Sequence, residues 1–123
     1  LERGRLAVDD DLRLVGCTNT FALGDLSARP GSPWPASAQV AMQQGDATAA
    51  AIATLRMEQE PQPFEFEDRG EMLSLGVGDA TLTGMGLTLA GPLAFQLRRA
   101  TYLTRLPGLS LGLRSAGAWL LNR

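Results

Sequence analysis

The chain has 123 residues, enough for one modest core and too few for a complete two-domain nucleotide enzyme at ~150 residues per domain. Apolar residues make up 45% and charged residues 20%, which excludes wholesale disorder; with no His and one Cys, a His-based triad, a His or Cys metal site, a CxxC pair and an internal disulfide are excluded as well. The net charge of -2 joins an acidic front, residues 1–79, with 13 acids against 6 Arg, to a rear, residues 80–123, with 5 Arg and no acid.

The N-terminal run Leu1-Glu2-Arg3-Gly4-Arg5 lacks the apolar region of a signal peptide, and a start without Met fits a fragment of a longer chain. Arg5–Val8 and Leu12–Val15 read as short strands, with Asp9-Asp10-Asp11 as the tight turn between them. Thr20-Phe21-Ala22-Leu23 reads as a short buried strand that ends in a sharp turn at Gly24-Asp25. A carboxylate set just after Gly at a strand end can accept hydrogen bonds from a polyol. Taken alone, this signal is weak, and a turn-forming Asp is the ordinary reading.

Pro30 to Pro35 is a loop, and Pro35 to about Met57 is predicted as a long helix rich in Ala and Gln. Its leading end offers first-turn N–H groups and a partial positive charge, suited to a developing anion. Gln39 and Gln43, four residues apart, project within about 40° of each other, and Ala36, Ala38 and Ala41 leave room for a flat ligand. The alternative for this pair is an ordinary surface on an Ala-rich helix. Gly45 reads either as surface slack or as a place where a backbone or ligand packs closely.

Glu58 to Pro63 is a Pro/Glu linker and sets the expected boundary between residues 1–57 and 58–123. Phe64-Glu65-Phe66-Glu67 alternates as a half-exposed strand. Met72–Leu75, Ala80–Thr83 and Leu87–Leu89 are strands separated by Gly, which suggests a small antiparallel sheet. From Leu93 two helical stretches follow, divided at Pro107-Gly108. In the second, Leu109, Leu113, Ala116 and Leu120 share a face flanked by Trp119. That face suits either docking on the protein core or lying in a membrane interface with Arg reaching phosphates. No run reaches the about 20 apolar residues a bilayer span needs. The Leu-rich rear, spaced by Gly rather than built from basic runs with interleaved aromatics, favours a membrane surface over nucleic acid.

Gly4-Arg5-Leu6-x-Val8-Asp9, Phe21-Ala22-Leu23-Gly24-Asp25 and Pro35-x-x-Ala38-Gln39-x-Ala41-x-Gln43 together resemble the C-terminal part of type II NADH dehydrogenases. These are single-chain, non-pumping, FAD-dependent NADH:quinone oxidoreductases of the two-dinucleotide-binding-domain flavoprotein superfamily. Met72–Gly76, Leu89–Ala94 and Tyr102–Gly108 are also similar to that family's C-terminal domain. The fold class so implied is α+β: the closing segment of an FAD-binding domain (short strands and one long helix), then a small antiparallel sheet and amphipathic helices.

The resemblance implies that Asp25 accepts hydrogen bonds from the FAD ribityl chain, with Gly24 giving room. It implies that amides near Ala38 and Gln39 face the isoalloxazine, and that Gln39 and Gln43 line the quinone pocket. It further implies NADH as the donor, a homodimer, and peripheral attachment at the cytoplasmic face of a membrane. Two departures matter. No GxGxxG motif is present, so this chain is not expected to oxidise NADH alone. Cys17 has no partner, which argues against the related sulfide:quinone reductases. Two rival readings are a non-catalytic membrane-surface module and a related flavoprotein with another electron acceptor.

Overall fold

A computed structural model describes residues 4–121, in two compact units that divide after Asp68. In the first unit, β1 (Leu6–Ala7) pairs in parallel with β2 (Ser27–Ala28). Between them the Asp-rich turn closes through Asp9 N–H to Arg13 O at 2.8 Å and Leu12 N–H to Asp9 O at 3.0 Å. Leu12 takes the left-handed φ of 70° there and is fully buried, so its side-chain burial offsets a backbone cost of about 1–3 kcal/mol.

Of the strands expected around this turn, Arg5–Val8 keeps β1, and Leu12–Val15 shrinks to bridges, Val8 with Leu14 and Arg13 with Phe21. Thr20–Leu23 forms no strand; after Phe21 the chain enters a short 3-10 turn, Gly24–Leu26. α1 (Ala38–Arg56) starts at Ser37, whose Oγ accepts from Val40 N–H at 3.3 Å. It ends as a Schellman closure, with Glu58 N–H to Leu55 O at 3.0 Å and Gln59 N–H to Thr54 O at 3.2 Å. Glu58 supplies the left-handed residue (φ 57°) usually left to Gly.

Val8, Leu12, Ala22, Val40 and Phe64 make the core of this unit. Phe64 meets Trp34 edge-on at 5.2 Å, and its N–H donates to Asp10 O at 2.8 Å. Burial of one large ring draws the segment that follows the linker into the first compact unit. Residues 64–67 keep the in–out alternation, with Phe64 buried and Glu65 exposed, but form no ladder. Alternation reports which side chains go inward, not whether the backbone finds a partner strand.

The second unit matches its predicted elements closely. β3 (Glu71–Gly76), β4 (Asp79–Gly84) and β5 (Leu87–Ala90) form an antiparallel meander in that order, with Leu73 opposite Thr81 and Leu82 opposite Leu89. Met85-Gly86 turns β4 into β5 with both φ values positive, the twist a tight hairpin requires. Gly70 (φ 89°) lies so close to the Thr83 carbonyl that a Cβ would collide with it. α2 (Pro92–Thr104) starts with Pro, where the missing N–H costs nothing, and packs on β4 and β5 through buried Ala94. α3 (Leu109–Leu121) follows the Pro107-Gly108 break and packs on α2.

Candidate functional site

The 3-10 turn that carries Gly24 and Asp25 is seated against the flank of α1. Gly24 adopts φ 67°, and a Cβ there would stand 3.5 Å from the Ala41 Cβ, so glycine allows the close seating. Gln44, 1% exposed, anchors the turn: its Oε1 accepts the Gly24 N–H at 2.7 Å. Ser27 Oγ donates to Gly24 O at 3.1 Å and closes the other side. Asp25 is left exposed beside the helix, and among the described residues its carboxylate has no hydrogen-bond or ion-pair partner.

Ala38 is the first residue of α1 and is exposed. The first intrahelical bond runs from Ala41 N–H to Ser37 O, so the amides of Ala38 and Gln39 lie at the leading end, ahead of the ladder. Gln39 and Gln43 are half-buried on the opposite flank, about 150° around the helix from the face that Ala41 and Gln44 give to Gly24. Gln43 holds the backbone of Glu67 at both ends of its carboxamide: Oε1 accepts Glu67 N–H at 3.0 Å and Nε2 donates to Glu67 O at 2.9 Å. Gln43 Nε2 also lies 3.5 Å from Gln39 Oε1. The structure thus brings Gly24–Asp25 and the Gln pair to two flanks of one helix that share its leading end. Nothing lies within 4 Å of a Cβ at Gly45, so close packing within this chain is not the reason for glycine there.

Gln44 escapes the sequence reading, yet a signal for it exists. Val40, Gln44, Thr48 and Ala51 fall at helical spacing and form the buried stripe of α1. A carboxamide in line with Val and Ala must be buried, and a buried carboxamide must be bonded.

One titrating group in this unit is perturbed at its carboxyl. Burial pushes the Asp11 carboxyl up, the largest single influence; hydrogen bonds from the Arg13 side chain and N–H, with the guanidinium charge, together outweigh it and hold the group below its ordinary value. The pair at 2.6 Å braces the turn between the bridging segments and is remote in role from Asp25.

The second unit presents a different surface. Leu109, Leu113 and Leu120 on α3 are 84%, 66% and 69% exposed, so this face is turned outward and is not docked on the core. The inward side is Gly112, Ser115, Ala116 and Trp119, half-buried toward α2. Arg98 lies over Tyr102 at 4.7 Å and Arg99 over Trp119 at 4.2 Å. Among the described residues no helix is long and apolar enough to cross a membrane.

No protein-family model matches the chain. Among curated proteins it is 37% identical over 132 aligned positions, 98% of its length, to the demethylphylloquinone reductase NdbB of a Synechocystis species. It is 40% identical over 111 positions, 85% of its length, to an alternative NAD(P)H-ubiquinone oxidoreductase C1, chloroplastic/mitochondrial, of Arabidopsis thaliana. It is 37% identical over 98 positions, 76% of its length, to a type II NADH:quinone oxidoreductase of Staphylococcus aureus. The matched part spans 33%, 21% and 23% of those proteins respectively.

Proposed function

From the homology of this chain to the C-terminal portion of type II NADH:quinone oxidoreductases, we propose that it supplies the flavin contacts, quinone pocket and membrane attachment of such an enzyme. The parent is a single-subunit, non-proton-pumping, FAD-dependent NADH:quinone oxidoreductase, a homodimer held peripherally at the cytoplasmic face of a membrane. Residues 1–57 close its FAD-binding domain, and residues 58–123 carry the membrane-association domain.

The observation that carries this reading is the seating of Gly24–Asp25 on α1 by Gln44, which leaves a carboxylate without a partner among the described residues beside the helix. That donor and acceptor set fits FAD. A carboxylate can accept from the ribityl hydroxyls, and leading-end amides can donate to a polar ring edge, where the helix dipole favours negative charge. Asp25 and the amides of Ala38 and Gln39 would hold the cofactor, with Gly24 giving clearance. When bound, FAD supplies two-electron chemistry between NADH and quinone. Gln39 and Gln43 line the quinone side. Gln43, tied to Glu67, also sets where the residue 64–67 segment stands against that flank. Among the described residues no proton donor to the quinone is assigned at that flank; water or residues elsewhere in the parent serve.

The test uses the full-length protein that carries this chain, in stopped flow. Gln43→Leu leaves flavin bleaching by NADH near wild type and slows reoxidation by quinone about tenfold, the worth of one lost hydrogen bond near 1.4 kcal/mol. Equal slowing of both steps would overturn the assignment. A non-catalytic membrane-surface module accounts for the exposed leucines, but it gives no role to an open carboxylate beside α1; flavin bound by the parent chain excludes it.

A further inference from the structure

The loop that joins the two halves of the candidate site is closed by one side chain. β2 follows directly on the Gly24–Leu26 turn, and residues 29–36 run from its end to Ser37, the cap of α1. Pro30, Pro33 and Pro35 fix three φ angles along this loop, and Gly31 takes the left-handed φ of 78°. Arg29, at its start, engages all three guanidinium nitrogens. Nε donates to Ser32 O at 3.0 Å, Nη2 to Ser32 Oγ at 3.3 Å, and Nη1 to Asp10 Oδ1 at 3.2 Å. The flat face of the same group lies over the Trp34 ring at 4.7 Å. Trp34 also meets the Phe64 ring edge-on, and Phe64 N–H donates to Asp10 O. Asp10 therefore anchors the loop through its carboxylate and the Phe64 segment through its carbonyl.

An exposed ion pair and one stacked cation add little to stability. Converging on one loop, they set position instead. A planar fork on a carbonyl and a hydroxyl fixes where Ser32 stands, and the stacked ring fixes Trp34, three residues before the helix cap. We propose that Arg29 is a positioning residue for the flavin contact, holding the leading end of α1 at a set distance from the turn that carries Asp25. This role rests on the flavin reading of that site and adds a residue to it. Gln44 seats the turn on the flank of α1, and Arg29 fixes the covalent link between the turn and the first amides of the helix. When the loop relaxes, the amides of Ala38 and Gln39 lose their aim at a reduced ring while Asp25 keeps its hold on the ribityl chain. Flavin then stays bound, and its reduced form is stabilised less.

The test is the redox equilibrium of the bound flavin in the full-length protein that carries this chain, read by absorbance against a reference dye. At the wild-type midpoint, Arg29→Met should raise the ratio of oxidised to reduced flavin about fivefold with flavin content unchanged. Arg29→Lys keeps the charge but not the fork, and should raise the ratio about threefold. Asp10→Asn, at a largely exposed side chain, should raise it about twofold. The double variant should go no further than Arg29→Met alone, because both act through one loop. Should Arg29→Met fail to fold, Arg29→Lys and Asp10→Asn carry the test. A wild-type ratio in Arg29→Lys, or in both Arg29→Met and Asp10→Asn, would overturn the proposal while leaving the flavin site standing, even if their urea midpoints fall. Fully additive shifts in the double variant would overturn the loop as the shared route. A parent chain that binds no flavin would instead remove the flavin reading itself.

Discussion

The two units differ in how they treat their charged and polar groups. In the first, arginines meet carboxylates: Arg13 reaches Asp11 and Glu60, and Arg29, which also lies over Trp34 at 4.7 Å, reaches Asp10 at 3.2 Å. Its buried or half-buried carboxamides grip backbone, Gln44 at Gly24 and Gln43 at Glu67. In the second, Arg98 and Arg99 lie on aromatic rings, and many large apolar side chains stand outside while Ala80 and Ala94 are fully buried. The first unit uses polar groups to hold irregular backbone in place, as a site that must position a ligand requires. The second builds regular elements from local rules and leaves cations and leucines facing outward.

Variants can break or sharpen that contrast. The largest effect belongs to Gly70→Ala, which adds a methyl group where the Thr83 carbonyl already lies, at a φ of 89°. It should destabilise the second unit by about 3 kcal/mol. Hydrogen exchange read in the intact protein should quicken in β4 and leave α1 protected; equal loss in both would show that the units do not unfold separately. Next is Gln44→Leu, which leaves the Gly24 N–H without its acceptor and should cost about 2 kcal/mol by urea unfolding. Unlike the first variant, it should also lower flavin content in the parent protein, because the turn carrying Asp25 loses its anchor. Unchanged flavin content would detach Gln44 from the site.

The smallest effect is that of Asp11→Asn, up to about 1 kcal/mol. The native carboxyl sits below its ordinary value, so its contribution is full above the unfolded pKa near ~3.9 and is lost as pH falls through the lower folded value. Wild type and variant should therefore differ at neutral pH and converge in acid, measured by denaturant midpoints across that range. A constant offset down to the most acidic points would mean that the Asp11–Arg13 pair is not what braces the turn.

Residue order alone settles what is local in this protein. The span of α1, the three strands of the meander, the two C-terminal helices and the break at Pro107-Gly108 all follow from helix formers, Gly and Pro placement and strand alternation, because those forces act within a few residues. The division of charge and the match to a family's motifs are equally readable. Tertiary structure decided everything that depends on a distant partner. Thr20–Leu23 meets residues 12–14 through a single bridge, Arg13 with Phe21, and so forms no strand, and Phe64 draws its segment into the first core. Gln44 is spent on Gly24 twenty residues earlier, and Gln39 and Gln43 face away from Asp25. The reason is physical: a polar side chain's role is set by which unpaired backbone group lies within about 3 Å of it after folding, and no local pattern encodes that meeting.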